Sequence, residues 1–289
     1  MAATVVITLF YVLPVLLCVL MPVIVVYWRT LRFYVKYFLY NSCYMVIGCL
    51  SIPFCLLKPG DVDNGRWAAL FTRESVKHLF GIKIHVRHIE RLQSETPYII
   101  ICNHQSNMDN MAMMEILPPR CTAIMKKSTK FAGTVGLLCI LCGVIFVDRS
   151  NRSQAKQALE QTMKIIKKKN AKVWIFPEGT RKDNTECSDP MLPFKKGAFN
   201  LAVHAQVPIV PVVCSSQSKF FSYKEKKFTQ GKFTVTVMPH VDTFGLTLED
   251  VPTLAEKTRQ SMIDVYKTHP EIRTLLIEMI TGHNNNVAW

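Results

Sequence analysis

The sequence predicts an α/β domain, with a mixed, largely parallel sheet flanked by helices, preceded by an N-terminal hydrophobic region of membrane helices. Three observations support this fold class. Of the 289 residues, 49% are hydrophobic and 19% are charged, which excludes intrinsic disorder and is unusual for a plain soluble protein. Residues 1–60 contain no Asp or Glu. From about residue 61, short apolar runs alternate with stretches of helical periodicity, as strands alternating with helices do.

The net charge of +14 favours anionic partners, such as phospholipid head groups, a phosphorylated substrate or nucleic acid. Because the first fifth of the chain is almost wholly apolar, a phospholipid membrane is favoured and no nucleic-acid partner is expected. The ten cysteines lie mostly inside hydrophobic runs. We interpret them as buried free thiols in a reducing compartment.

The first uncharged run, residues 2–28, exceeds the ~20 apolar residues of a membrane span. It lacks the positive n-region of a cleavable signal. Tyr27 and Trp28 then form an aromatic boundary, and Arg29 and Arg32 follow, as at a membrane–water interface. The run is therefore interpreted as a retained membrane span.

A second apolar run covers about residues 37–57 and is interpreted as another membrane-embedded element. It ends at Lys58-Pro59-Gly60-Asp61, which is typical of a turn. The chain therefore divides into a membrane-anchor region, 1–60, and an α/β domain, 61–289.

Seven short runs predict the strands of the α/β domain. Two of them alternate apolar and polar side chains, and the other five are continuous apolar runs, typical of strands covered on both faces. In chain order the predicted strands are 82–87, 98–102, 121–125, 144–147, 172–176, 208–214 and 233–238. Helical periodicity predicts helices at 107–117, 131–140, 153–169, 194–206 and 253–268.

The first candidate site is NHQSNMD, residues 103–109, which follows a predicted strand. Five helical steps turn about 500°, so His104 and Asp109 meet if His104 lies in a loop and Asp109 in the first helical turn. The Asp can then hold one imidazole nitrogen while the other accepts a proton. Alternatively, Ser106 and Asp109 form a helix capping box beside an incidental histidine.

Other candidate residues follow other predicted strands. In FPEGTR, residues 176–181, the Gly lets a ligand approach the backbone and the Arg supplies a planar fork suited to phosphate. The alternative is a strand-end turn with a Glu–Arg surface pair. Lys126 and Arg149 also follow strands. Because ligands collect at the carboxyl ends of strands in open α/β sheets, we expect these residues to share one site with His104.

These stretches, followed by VPIVPVV at 207–213, resemble the glycerolipid acyltransferase family and in particular the eukaryotic lysophosphatidic acid acyltransferases. The resemblance covers essentially the whole chain. It implies a glycerolipid acyltransferase-like fold and transfer of an acyl group from acyl-CoA to the sn-2 hydroxyl of lysophosphatidic acid. The product would be phosphatidic acid, an intermediate of phospholipid biosynthesis. No bound cofactor and no metal site are expected.

The resemblance also implies roles for single residues. His104 would be the general base and Asp109 its orienting partner. Arg181 would bind the acceptor phosphate, and Glu178 would orient Arg181 or contact the acceptor. The backbone around Gly179 would stabilise the oxyanion. The complete implied substrate-binding set is Lys126, Arg149, Glu178, Gly179, Thr180 and Arg181.

A cytosolic acyl-CoA donor implies a catalytic domain on the cytosolic side of the membrane, which we expect to be the endoplasmic reticulum. The basic residues of the link 29–36 mark it as cytosolic by the positive-inside rule, so the N-terminus is expected in the lumen. A second crossing at 37–57 would place the domain in the lumen. We therefore predict that 37–57 enters the cytosolic leaflet and returns, or lies in its plane.

Three alternatives stay open at this point. One is an enzyme of the same family with another acceptor, such as glycerol-3-phosphate or another lysophospholipid. A second is a non-catalytic membrane protein that binds anionic lipids through its positive charge. The third is a hydrolase with an acyl-enzyme at Ser106, although the chain lacks the GxSxG elbow of the common hydrolase fold.

Overall fold

A computed structural model describes residues 13–148, 152–182 and 190–269. Its first element is helix α1, Leu13–Cys55, of 43 residues, which is about 65 Å long at about 1.5 Å per residue. The part Val25–Cys55 is long and apolar enough to cross a membrane, judged by length and composition. Residues 2–12 of the predicted span lie outside the described residues.

Helix α1 is continuous through 29–36, where the sequence predicted a link between two separate membrane elements. The link predicted at 29–36 is helical, because α1 runs unbroken from Leu13 to Cys55, and the placement of 37–57 in the membrane stays a prediction. The physical reason is that residues 29–36 contain neither Gly nor Pro, and basic side chains do not interrupt the backbone hydrogen bonds of a helix.

Seven strands form the main sheet, and two short strands form a hairpin. The strands are β1 Ile82–Arg87, β2 Ile99–Cys102, β3 Cys121–Lys126, β4 Ile145–Val147, β5 Lys172–Ile175, β6 Ile209–Cys214, β7 Phe221–Ser222, β8 Lys227–Phe228 and β9 Gly231–Val237. The main sheet has the order β1-β9-β6-β2-β5-β3-β4. From β6 to β4 the strands are parallel, whereas β9 is antiparallel to β6 and parallel to β1. The predicted mixed, largely parallel sheet is confirmed.

Seven further helices follow α1 in the described residues. They are α2 Gly65–Phe71, α3 Lys77–Phe80, α4 Asp109–Ile116, α5 Gly133–Leu141, α6 Arg152–Lys169, α7 Gly197–Ala205 and α8 Val251–Thr268. The last five correspond to the five predicted helices. Helices α2 and α3 were not predicted, because a π-helical turn, Thr72–Val76, joins them and shifts the apolar period away from 3.6 residues.

Alternate residues of the central strands pack on opposite faces of the sheet. In β2, Ile100 and Cys102 belong to the apolar layer that α1 and α4 cover, whereas Ile99 and Ile101 belong to the layer under α7 and α8. All four side chains are fully buried. Burial on both faces explains why the strand reads as a continuous apolar run.

Helix α1 is part of the first of these layers. Its buried residues Phe33, Tyr40 and Cys55 recur on one side of the helix. Helix α5 crosses α1 at Gly48, where an added Cβ would lie 2.9 Å from Oγ1 of Thr134. The glycine therefore permits the close approach of the two helices.

The opposite face of α1 is exposed and apolar. Its exposed large side chains include Val26, Trp28, Leu31 and Phe38. Many exposed apolar side chains on one helix are typical of a surface that contacts lipid or protein.

Candidate active site

The loop 103–108 joins the end of β2 to α4, and Asp109 is the first residue of α4. Nδ1 of His104 lies 2.8 Å from Oδ2 of Asp109. The Asp109 side chain is fully buried, and that of His104 is 15% exposed. Because the carboxylate accepts a hydrogen bond from Nδ1–H, the proton of the neutral imidazole is on Nδ1, and Nε2 keeps its lone pair. The structure thus brings the two residues together from a loop and a first helical turn.

Three further donors surround the buried Asp109 carboxylate. Oδ2 accepts the backbone N–H groups of Gln105 and Ser106 at 2.6 and 2.9 Å, and Oδ1 accepts Nε2 of Gln217 at 2.7 Å. The bond from the Ser106 N–H to Asp109 is one half of a capping box. The reciprocal half is not formed in this loop, since Oγ of Ser106 accepts the N–H of Met108 and not that of Asp109, and the histidine is not incidental, since it is bonded to Asp109.

Gln217 is a site residue that the sequence analysis missed. It is buried in the loop after β6, 108 residues from Asp109. Its Oε1 accepts the hydroxyl of Ser106, and this bond orients the amide so that Nε2 faces Asp109. The available signal was the polar run 215–218 directly after an apolar strand, a position where site residues collect.

Two amide side chains of the loop 103–108 bond to the end of β6 and to Ser215 directly after it. Asn103 accepts the N–H of Cys214 at 2.8 Å and donates to its carbonyl at 3.0 Å. Gln105 donates to the carbonyls of Cys214 and Ser215 at 2.8 and 3.0 Å. These bonds fix the loop on both sides of His104, so the imidazole is held on a rigid support.

The Glu178 side chain forms hydrogen bonds with the main chain. Its Oε1 accepts the backbone N–H of His104 at 2.6 Å, and its Oε2 accepts that of Leu192 at 2.8 Å. Burial raises the pKa of Glu178 to about 7, although the two N–H donors act in the opposite direction. Both oxygens of this buried carboxylate accept backbone N–H groups, so Glu178 holds the loop, and its contact with Arg181 or with the acceptor stays a prediction.

Phe176 and Gly179 form the turn beside the histidine. The His104 and Phe176 rings stack with centroids 4.0 Å apart and an interplanar angle of 18°. Gly179 has φ of 75°, a left-handed conformation that favours glycine. Its N–H donates to the carbonyl of Phe176 at 3.2 Å. That N–H belongs to the turn, and the oxyanion role of the backbone around Gly179 stays a prediction.

One cavity of about 590 Å³ contains most of the expected site residues. His104, Lys126, Gly179, Thr180 and Arg181 all line it. They come from the carboxyl ends of the parallel strands β2, β3 and β5, as the strand-end argument expected. The side chains of Lys126, Thr180 and Arg181 are exposed. Arg149 lies outside the described residues.

The walls of the same cavity are largely apolar. They come from α1, α2, α4, α5 and the chain beside them, and their apolar side chains include those of Tyr44, Ile47, Ala68, Met113, Met114, Val135, Leu138 and Cys139. A cavity that combines cationic side chains with apolar walls suits an amphiphilic ligand that has both an anionic group and an alkyl chain.

The eight cysteines whose side chains the structure describes are free thiols, and six of them are buried, as expected for apolar thiols. Cys139 lines the cavity. Burial raises the pKa of Cys139 to about 11, so its thiol stays neutral at physiological pH.

Comparison with known proteins agrees with this geometry. A family model described as Acyltransferase matches residues 83–215. Human (Homo sapiens) 1-acyl-sn-glycerol-3-phosphate acyltransferase alpha is 42% identical over 236 residues, which cover 82% of each chain. The human beta enzyme is 44% identical over 81% of this chain and 83% of its own.

A solved structure shows the same fold. The 1-acyl-sn-glycerophosphate (LPA) acyltransferase PlsC from Thermotoga maritima superimposes with a TM-score of 0.63 over 85% of this chain and 98% of its own, at 20% identity. The identity and coverage of the human relatives show the family directly. The chain therefore belongs to the acyltransferase family that includes these 1-acyl-sn-glycerol-3-phosphate acyltransferases.

Proposed function

We propose that the chain transfers an acyl group from acyl-CoA to the sn-2 hydroxyl of 1-acyl-glycerol-3-phosphate and so forms phosphatidic acid. One observation carries the proposal: the hydrogen-bonded His104–Asp109 pair shares a cavity with Lys126 and Arg181. The acceptor has a hydroxyl that must lose a proton and a phosphate monoester that must be bound. A base and cationic side chains in one cavity meet both needs.

In the proposed reaction Nε2 of His104 takes the proton from the acceptor hydroxyl while the hydroxyl oxygen attacks the thioester carbonyl. The tetrahedral intermediate then collapses, the C–S bond breaks, and His104 returns the proton to the departing CoA thiolate. Asp109 stabilises the imidazolium between these steps. A positioned general base of this kind contributes ~10²–10⁴-fold to the rate.

The polar and the apolar residues of the cavity are proposed to contact different parts of the substrates. Arg181 is the proposed phosphate ligand, because its guanidinium can form two parallel bonds to phosphate oxygens. Lys126 and Thr180 are proposed to assist it, and Arg149 stays a proposed phosphate ligand. The apolar walls are proposed to receive acyl chain. The reaction uses acyl-CoA as co-substrate and requires no bound cofactor.

We propose direct transfer without an acyl-enzyme. The Ser106 hydroxyl donates to Gln217 and accepts the backbone N–H of Met108, so it serves the loop and is not bonded to His104. Cys139 is a neutral thiol, and a neutral thiol is a poor nucleophile. These contacts favour transfer over the hydrolase alternative.

We also propose that the protein resides in the endoplasmic reticulum membrane with its catalytic domain in the cytosol. Helix α1, at about 65 Å, is longer than the ~30 Å hydrocarbon core, so its N-terminal part can be inserted while the remainder packs on the domain. The test is an N-glycosylation acceptor tag placed after residue 60, which should stay unmodified. A glycan on that tag would contradict the cytosolic orientation.

The function is tested with the purified chain in detergent, offered acyl-CoA and a panel of acceptors: lysophosphatidate, glycerol-3-phosphate, lysophosphatidylcholine and lysocardiolipin. Phosphatidic acid should form, with little product from the other acceptors, and the His104→Ala variant serves as the matched inactive control. Preferential acylation of another acceptor would favour the same-family alternative. Absence of transfer to any of them, with retained binding to anionic vesicles, would favour the non-catalytic alternative.

A further inference from the structure

The hairpin of β7 and β8 packs directly on the middle of α1. The Phe33 ring lies 5.5 Å from that of Tyr223 and 6.1 Å from that of Phe221, measured between centroids. Nζ of Lys36 donates to the carbonyl of Phe228 at 3.2 Å. These contacts bury Phe33 and hold the hairpin at a fixed position along the helix.

The tip of the hairpin presents aromatic rings together with an ammonium group. Tyr223 is 49% exposed and the neighbouring Tyr34 of α1 is 43% exposed. Nζ of Lys226 lies 4.0 Å from the Tyr223 ring centroid and 5.1 Å from that of Tyr34. Tyrosines with an apolar body and a polar tip, beside a lysine with a long apolar stem, are typical of a membrane–water interface.

The charge of this surface is strongly positive. Residues 219–228 contain four lysines and one glutamate. The adjacent turns of α1 add Arg29, Arg32 and Lys36, and residues 1–60 contain no acidic residue to oppose them. The surface therefore has seven basic side chains and one acidic side chain, and an anionic surface is the complementary partner.

The exposed residues of α1 that precede the hairpin contacts indicate where the hairpin lies relative to the bilayer. Tyr27 and Trp28 are 74% and 62% exposed, and Val25 and Val26 are exposed beside them. Trp28 and Phe33 are five positions apart, which is about 8 Å along the helix. If the bilayer ends near the aromatic pair Tyr27–Trp28, the hairpin lies at the level of the head groups, and the exposed Leu31, Val35 and Phe38 of α1 lie beside it.

We propose that the hairpin 219–228, with the adjoining basic turns of α1, binds the head groups of anionic phospholipids. A soluble polyanion would match the charge but not the exposed apolar segment directly beside it. The proposal rests on the proposed membrane location of α1 and is independent of the donor and acceptor of the reaction. Its residues are not among those that line the catalytic cavity.

The test uses the full chain reconstituted in two kinds of vesicle, phosphatidylcholine alone and phosphatidylcholine with about one third phosphatidylglycerol. Amide hydrogen exchange is followed in the hairpin peptide and in α8 as an internal reference. Exchange in the hairpin should slow by about tenfold in the anionic vesicles and recover at high salt, which screens the charges. Exchange in α8 should be equal in both.

A triple variant of exposed or half-exposed hairpin lysines, Lys219→Gln, Lys224→Gln and Lys227→Gln, should lose this lipid dependence. A matched triple variant with the same change in net charge, Lys83→Gln, Lys168→Gln and Lys257→Gln, should retain it. Equal hairpin exchange in both vesicle types would overturn the proposal. So would an equal loss in both triple variants, which would show that only net charge matters.

Acyl transfer in detergent without anionic lipid is measured on the same samples. The hairpin variant should keep wild-type turnover, which shows that it is folded. Failure of the wild type to acylate lysophosphatidate would contradict the proposed function and leave the exchange result standing. Hairpin-dependent binding of single-stranded RNA, with no vesicle dependence, would also overturn the lipid proposal.

Discussion

The backbone N–H of His104 donates to Oε1 of Glu178 over 2.6 Å, although 74 residues separate them in the chain. Because β2 and β5 are neighbouring parallel strands, the loops that follow them meet at one edge of the sheet. The proposed base is therefore held twice, at its ring by Asp109 and at its main chain by Glu178. The two motifs form one structural unit, and the following outcomes are expected from it.

Replacing His104 by Ala should reduce turnover to background while the fold is retained, because the change removes the base from a partly exposed side chain and opens no core. The Asp109→Asn variant should lose less, since the imidazole remains but its tautomer and orientation are no longer fixed. Turnover with lysophosphatidate and acyl-CoA is measured beside the melting temperature. Wild-type turnover in the His104→Ala variant would contradict the proposed mechanism.

Replacing Gln217 by Ala should lower kcat by about 10- to 100-fold, because it leaves Oδ1 of the buried Asp109 without its side-chain donor. KM for both substrates should stay unchanged if Gln217 only positions Asp109. Gln217→Glu should cost more, since it sets a carboxylate against a buried carboxylate. The exposed Gln230→Ala is the control, and a change confined to KM would contradict the positioning role.

The pKa of Glu178 predicts a pH dependence of stability. The pKa is raised from 4.5 to about 7, chiefly by burial, so between these values the folded state binds more protons than the unfolded state. Stability should therefore fall as pH rises from 5 to 8, and Glu178→Gln should remove this slope. The difference is on the order of 3 kcal/mol at full ionisation.

The measurement is the melting temperature of wild type and variant across that pH range in one detergent. Glu249→Gln, at an exposed position, is the matched control and should follow the wild-type curve. Parallel curves for wild type and Glu178→Gln would show that burial does not hold the proton on this carboxyl.

Removing the Ser106 hydroxyl should leave substantial activity, with a loss of severalfold at most. The hydroxyl donates to Gln217 and caps the loop, and it has no covalent role in direct transfer. Initial-rate kinetics with both substrates varied should show intersecting lines. A trapped acyl-enzyme or ping-pong kinetics would refute direct transfer.

Replacing Arg181 by Ala should raise KM for lysophosphatidate by about 10- to 100-fold, as expected for loss of a charge-assisted bond to phosphate. KM for acyl-CoA should change little. Lys83→Ala, at an exposed strand position, controls for the loss of one positive charge. The opposite result, a raised acyl-CoA KM with an unchanged acceptor KM, would reverse the assignment.

The local pattern of residues was sufficient for the sheet and for the motif at 103–109. Strand β1 has the predicted bounds, and the helices α4 to α8 lie where their periodicity placed them. Apolar runs and helical periods are local quantities, since each side chain's burial repeats with the geometry of its own element. The same argument placed the strand ends at one edge, and with them His104, Lys126 and Arg181.

Contacts between distant segments were decided by tertiary structure alone. No spacing in the chain relates Gln217 to Asp109 or assigns the two oxygens of Glu178 to main-chain donors. The packing of α1 against the β7–β8 hairpin belongs here too, because Phe33 and Lys36 have partners in a hairpin that begins almost 190 residues later. A buried carboxylate must find donors wherever the fold brings them, and which donors those are depends on how the elements pack, not on their order in the chain.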